Sequence, residues 1–302
     1  MSIALQVALV MVTILVVLLV IGAPIGVAIG MSSAVSMICM IPADVSFATS
    51  AQRIFAGSNS FSLIAIPFFI LAGNIMNNGG IATRLVNCAK VISGRMPGAL
   101  AQSNVVANML FGAISGSGAA AAAAMGGTIG PLEEKEGYDK NYSTAVNVAS
   151  APVGMLIPPS NTMIVYSSVA GSVSIAALFM AGYIPGLLWG GAVMILAGIM
   201  AKKRGYQAEQ RVPVKVALKT FWQAIPSLLL IVIVIGGILG GIFTATEGSA
   251  IAVVYATVLS LIYKAFKIKD IPRIVLEAAK TTGIITFHQL CHGLWHLQEF
   301  QI

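Results

Sequence analysis

The sequence predicts an all-α integral membrane protein: several spans, a re-entrant helical hairpin and a proline-broken helix, laid out as part of an inverted repeat. Three observations carry this. Of 302 residues, 58% are hydrophobic and 9% charged, with a mean hydropathy of +0.93, whereas soluble domains carry about a quarter charged residues. Pro158-Pro159 interrupts a stretch from Tyr142 to Ala201 that contains no charged residue. A Gly-rich break between apolar runs near Gly22 recurs near Gly240.

Charge-free windows give the elements in order. Ile3–Ile21 and Ile25–Ile41 read as two spans joined at Gly22-Ala23-Pro24, and Phe61–Met76 as a third, closed by Asn77-Asn78-Gly79-Gly80. The start lacks the basic region of a cleaved signal peptide, and further spans follow it. Met96–Leu132 is uncharged but interrupted by Gly112–Gly118, leaving two half-length helices. That pattern fits a hairpin, about 97–131, that enters and leaves on one side. A polar loop, Glu133–Asn141, leads to the broken helix at about 142–171. A full span at 174–200 follows, then Gln223–Phe243 and Gly248–Tyr263 as a further pair.

Positive charge falls in blocks beside these windows. Lys202, Lys203, Arg204, Arg211, Lys215 and Lys219 form one, within a basic connector at 202–222. Lys264, Lys267, Lys269 and Arg273 form another, and Arg84, Lys90 and Arg95 a weaker third. Basic residues near span ends mark the cytoplasmic side. All three blocks agree with one topology, which puts the N-terminus outside. Their role is orientation and contact with anionic lipid. Three scattered cysteines make no disulfide framework, and nothing in the pattern suggests nucleic acid.

The double proline is the most specific signal. Pro159 offers no N–H and clashes with the carbonyl four residues back, and Pro158 is pushed out of the α region. Each freed backbone group costs several kcal/mol in hydrocarbon if unpaired, so such breaks persist where they line a cavity or a site. In carriers, broken helices near the midplane hold substrate and ion. The segments 18–35 and 233–254 also resemble one another while entering from opposite sides, as in an inverted repeat. Residues 1–201 then form the first repeat and 223–287 the start of a second.

The hairpin tip supplies Gly112, Gly116 and Gly118 for close approach and the hydroxyls of Ser115 and Ser117. The break supplies carbonyls from Gly154 to Pro158, with Ser160, Asn161 and Thr162. Carbonyl and hydroxyl oxygens suit a small hard cation, expected at Gly112, Ser115, Gly116, Ser117, Gly154, Pro158 and Ser160. The half-helices starting after Ser117 and Ser160 suit a carboxylate, expected at Ser117, Gly118, Ser160, Asn161, Thr162 and Asn147. No other cofactor is expected. For Asn104, Asn108 and Asn147, interhelical hydrogen bonding and lining of a substrate path stay open. Ala119–Ala124 reads as packing, and Thr244, Thr246 and Glu247 as a helix cap. His288, His292 and His296 share one helical face with Cys291 nearby, a spacing read as accidental. No nucleophile–base pair, phosphate loop or paired carboxylates point to enzyme chemistry.

Several segments resemble the large permease subunit of tripartite ATP-independent periplasmic (TRAP) transporters, the DctM-like family. They are FSLIAIPFFILAGNIMNNGGIATRLV (61–86), FGAISGSGAAAAAAMG (111–126), EGYDKNYSTAV (136–146), GMLIPPSNTMIVYS (154–167), LFMAGYIPGLL (178–188) and GGIFTATEGSAIAVVYA (240–256). The resemblance implies an elevator-type, sodium-driven importer of organic acids such as C4-dicarboxylates or sugar acids, in the bacterial inner membrane. Its implied partners are a periplasmic solute-binding protein and a small membrane subunit. After Phe287 the likeness stops, so 288–302 is expected to be an aberrant tail and the chain an incomplete form. On that expectation it transports nothing alone; the alternatives are a non-transporting membrane protein that only associates with the small subunit, or another secondary carrier with similar broken helices.

Overall fold

The computed structural model of the chain describes residues 3–58, 61–170, 173–206 and 213–300. Among these every regular element is a helix. They divide into two compact units, one drawn from Met1–Leu63, Ser168–Gly171 and Lys280–Ile302, the other from Ile64–Ser167 and Ser172–Ala279.

The first unit opens with α1 (Ile3–Val20) and α2 (Ile25–Ile38), packed on each other. Gly22 takes φ +88° between them. At 18 and 14 residues they rise roughly 27 and 21 Å, against about 30 Å of hydrocarbon. The second is thus shorter than the full span expected of Ile25–Ile41. It is followed by α3 (Ala43–Ser58), which a charge-free window cannot find because it carries Asp44 and Arg53. The Ser46 hydroxyl donates to the Ala34 carbonyl and ties α3 to α2.

In the second unit, α4 (Ala65–Asn78) lies along α14 (Ala245–Ile262), whose Ser260 sits against Gly79. The block Arg84–Arg95 begins on an amphipathic helix, α5 (Ile81–Ser93), which packs on α6 (Ala99–Ser115) and α13 (Val214–Leu239). The hairpin is α6 (Ala99–Ser115) and α7 (Gly118–Thr128). Its break is narrower than the expected Gly112–Gly118. Helix α6 runs through Gly112, whose carbonyl accepts the Gly116 N–H at 2.8 Å, and only Gly116 and Ser117 lie outside helix. The expected loop at Glu133–Asn141 is also corrected. A short helix, α8 (Gly130–Lys135), occupies its first residues and buries Glu133.

The broken helix starts slightly earlier than expected, as α9 (Lys140–Ser150), capped by the Asp139 carboxylate on the Tyr142 N–H. It continues through α10 (Val153–Leu156), breaks at 157–160, and resumes as α11 (Asn161–Ala170). The two arms are bent by 51°. Next come α12 (Ile175–Lys203), α13 (Val214–Leu239) and α14. Helix α13 begins inside the stretch read as a connector. Gly182, Gly186 and Gly190 bring α12 against Leu156, Ile157 and Met109, the close packing that small residues allow between helices in lipid. Thr244 and Glu247 form the expected cap, each accepting the other's backbone N–H. Finally, α15 covers Ile271–Phe300. The side chains of 288–302, with His288, His292, His296 and Cys291, lie outside the described residues.

Among the described residues α12, α13 and α14 are long and apolar enough to cross a membrane, and the bent pair makes a fourth span if counted as one.

Candidate functional site

The hairpin tip and the helix break meet. Helix α6 stops because Gly116 turns left-handed, φ +62°, a conformation cheap only for glycine. Helix α7 starts because Ser117 is extended and its hydroxyl accepts the Ala120 N–H at 3.2 Å. Across from them α10 ends at Leu156, and Ile157 is extended. The Pro158-Pro159 peptide is cis. The Ser160 hydroxyl donates back to the Met155 carbonyl, occupying one carbonyl that the break frees.

Two contacts fix the approach. A Cβ on Gly112 would stand 2.6 Å from the Gly154 Cα, and one on Gly154 2.3 Å from the Gly112 Cα. The helices therefore cross backbone on backbone. One turn further along, the Asn161 side-chain amide donates to the Ser115 carbonyl at 3.3 Å. A Cβ on Gly116 would meet that amide at 2.7 Å. The tip and the start of α11 are thus held together by an amide and by the absence of a side chain.

Gly112, Ser115, Gly116, Ser117 and Gly118 lie on the hairpin side of this crossing, and Gly154, Pro158, Ser160 and Asn161 on the other. Ser115, Ser160 and Asn161 are buried and Ser117 is half-buried. The Asn161 side-chain oxygen is buried without a hydrogen-bond partner. Helices α7 and α11 both begin here, each at least ten residues long. Their free N–H groups and positive dipole ends favour an anion, while carbonyl ends and hydroxyls favour a small hard cation. No arginine or lysine occurs in any of these segments.

Two residues stand apart from the crossing. Thr162 is exposed on α11. Asn147 belongs to a buried network elsewhere: the Asn108 amide faces the side-chain oxygens of Asn104 (2.9 Å), Asn147 (3.0 Å) and Ser150 (2.8 Å). The Asn147 amide donates to the Ala122 carbonyl at 2.8 Å. This network stitches α6, α7 and α9 together, which is the interhelical reading left open for these asparagines.

No motif singles out Glu133. It is 1% exposed and lines a cavity of about 330 Å³ with Asn104, Ser143 and Asn147. Helix α8 lies outside the helices that are long and apolar enough to span a membrane and outside the bent pair. Burial pushes the Glu133 carboxyl up to about 7. Ser143 and Asn104 are near enough to pull it partly back, yet neither closes a hydrogen bond with it. Tyr138, which also lines the cavity, stacks on Tyr206 at 4.3 Å between ring centroids, and the Arg204 guanidinium pairs with Asp139 at 3.1 Å.

Comparison with known proteins places these elements among transport permeases. Residues 12–290 match the family model described as "Tripartite ATP-independent periplasmic transporter, DctM component". An uncharacterized protein YgiK of Salmonella typhimurium is 51% identical over 84% of this chain and 58% of its own length. A C4-dicarboxylate TRAP transporter large permease protein DctM of Rhodobacter capsulatus is 37% identical over 79% of this chain and 58% of its own. An isethionate TRAP transporter permease protein DctMQ of Oleidesulfovibrio alaskensis is 41% identical over 78% of this chain and 37% of its own. The chain therefore spans between a third and three fifths of the length of these relatives.

Proposed function

Because the chain belongs to the DctM family of TRAP transporter large permease components, we propose that it carries a cation and organic-acid site of a sodium-coupled importer. The crossing of α6–α7 with α10–α11 supports this reading. It gathers two helix N-termini, two interrupted helix C-termini and three buried polar side chains without any cationic side chain.

Electrostatics assigns the roles. An organic anion entering this place meets only partial positive charge, from the first N–H groups of α7 and α11. Without a counter-ion its desolvation is poorly offset. Sodium held by the carbonyls of the interrupted ends, with Ser115 and Ser160, supplies the missing charge next to the anion's seat at Ser117, Gly118 and Asn161. Each ligand then strengthens binding of the other, reciprocally. The relatives' names include C4-dicarboxylate and isethionate, a carboxylate and a sulfonate, so the common requirement is a small organic anion. Transport proceeds by sliding of the hairpin and broken helix as one piece, whose rigidity the Gly112–Gly154 contact provides. A soluble periplasmic binding protein delivers the substrate and a small membrane subunit braces the permease. The setting is the bacterial inner membrane, with the N-terminus on the periplasmic side.

The test is sodium-dependent hydrogen exchange of the chain in lipid nanodiscs. Sodium, but not potassium, slows exchange in 115–120 and 160–165. Ser115→Ala and Ser160→Ala each weaken the sodium midpoint roughly tenfold, equivalent to about 1.4 kcal/mol. Equal protection by both cations, or midpoints unchanged in both variants, overturns the reading.

A further inference from the structure

The cavity at the junction of α6, α8 and α9 holds three buried polar groups that find no partner: both Glu133 carboxylate oxygens, the Asn104 amide nitrogen and the Ser143 hydroxyl. An unpaired buried polar atom is costly, and three facing one cavity define a site. The asparagine network fixes what Asn104 presents. The Asn147 nitrogen is committed to the Ala122 carbonyl, so its oxygen faces Asn108 and the Asn108 nitrogen faces Asn104. That leaves the Asn104 oxygen on the network and its N–H₂ toward the cavity. A donor aimed at the carboxylate disfavours a metal cation there, and the cavity contains no second buried carboxylate to help hold one.

Nor does a basic side chain neutralise Glu133. The ion pairs among the described residues are Arg204 with Asp139 and Arg273 with Glu277. Helices α6 and α7 carry no titratable residue. Helix α9 contributes Lys140, exposed at the cavity's edge, and Tyr142. The turn before it contributes Tyr138, while Glu136 and Asp139 of that turn are exposed, and α8 itself adds the exposed Glu134 and Lys135.

We propose that this cavity is a proton-binding site, with Glu133 as the acceptor, and that proton occupancy decides whether α8 stays seated between the hairpin and the broken helix. The proton comes from hydronium in bulk solvent, which gives up one O–H bond and is left as water, and it forms one O–H bond on the carboxylate; nothing is oxidised or reduced. Protonated Glu133 donates to the Ser143 hydroxyl and accepts from the Asn104 amide, satisfying all three groups. Ionised Glu133 leaves a buried charge without a partner, relieved when α8 lifts and exposes the carboxylate to solvent. The sign follows from the carboxyl's shift from the ordinary 4.5 up to about 7. The seated form is favoured below 4.5 and loses that advantage as pH rises through about 7. This proposal does not rest on sodium coupling.

The full chain in lipid nanodiscs is titrated by infrared difference spectroscopy, which sees the protonated carboxyl directly. A carboxyl band with a midpoint near 7 is expected, absent in Glu133→Gln. Exchange of the 130–135 amides, corrected for intrinsic rates, should rise roughly tenfold between about pH 6 and about pH 8 in the unmodified chain. It should stay slow in Glu133→Gln, where a neutral amide mimics the protonated acid. A band that titrates in the ordinary carboxylate range overturns the proposal without recourse to any variant. So does pH-dependent exchange that survives Glu133→Gln.

Discussion

The two ends of α6 take polar groups out of water under opposite rules. At its C-terminal end, Ser115 to Gly118 face Gly154 to Asn161 with no charged residue on either side. The interrupted backbone there is largely rejoined: Gly116 N–H to Gly112, Ser160 to Met155, Asn161 to the Ser115 carbonyl. Eleven residues back toward the start of the helix, about 16 Å at 1.5 Å per residue, Asn104 faces a buried carboxylate that nothing neutralises. The neutral end is held by shape and is suited to recruiting ions. At the acid end, the proposed device is the protonation state of Glu133. Both ends lie on one uninterrupted helix, α6.

The sharpest way to break the neutral end is to add one carbon. Gly154→Ala places a Cβ 2.3 Å from the Gly112 Cα and 2.9 Å from the Asn108 carbonyl oxygen. Both are backbone and cannot swing aside, so a loss of about 3 kcal/mol is expected, at the upper end of overpacking costs. Gly127→Ala in α7 adds the same carbon where nothing lies within 4 Å. It should stabilise by a few tenths to about 1 kcal/mol, through helix propensity. Unfolding midpoints in detergent measure both. Equal effects from the two variants would show that the crossing is not tightly packed.

Between the two ends lies the asparagine network, and Asn108→Leu isolates it. The change keeps the volume but strands the side-chain oxygens of Asn104 and Asn147, while Ser150 retains its bond to the Val146 carbonyl. A loss of about 2 kcal/mol is expected in the same unfolding assay, less than at Gly154 because side chains rotate to new partners. In addition, Asn104 becomes free to turn its oxygen toward Glu133. The infrared midpoint of Glu133 should then rise, since the donor that favours its ionised form is lost. An unchanged midpoint would place Asn104 outside the carboxylate's field.

What the sequence reveals divides along the same line. The tip and the break are punctuated locally: Gly-Ser-Gly cannot continue a helix cheaply and Pro158-Pro159 cannot continue one at all, so both stops are visible in a window of ten residues. That Gly112 meets Gly154 is not visible, because a glycine in an apolar run reads equally as packing, flexibility or neither. Glu133 is harder still. In GPLEEKEGYDK it looks like one of several solvated charges, and only the fold of α8 onto α6 and α9 reveals which of them is buried. Helices α3 and α5 elude a search for charge-free windows because their buried faces share a helix with Asp44, Arg53, Arg84 and Lys90.

The smallest expected effect tests whether surface charge matters to the charged end at all. Arg204 pairs with Asp139 at 3.1 Å, and both side chains remain about two-fifths exposed. An exposed pair gains little over its separately hydrated partners. The Asp139 carboxyl is held below its ordinary range first by the Tyr142 N–H it caps, and only then by the arginine. Arg204→Gln removes the pair but keeps the cap, the Tyr138–Tyr206 stack and the bond from the Asp139 N–H to the Tyr206 hydroxyl. No resolvable change in unfolding midpoint is expected, and the Glu133 titration should keep its midpoint. A clear shift in that titration would mean that the arginine's field reaches the cavity, so that α8 is governed by long-range charge as well as by the protonation of one buried acid.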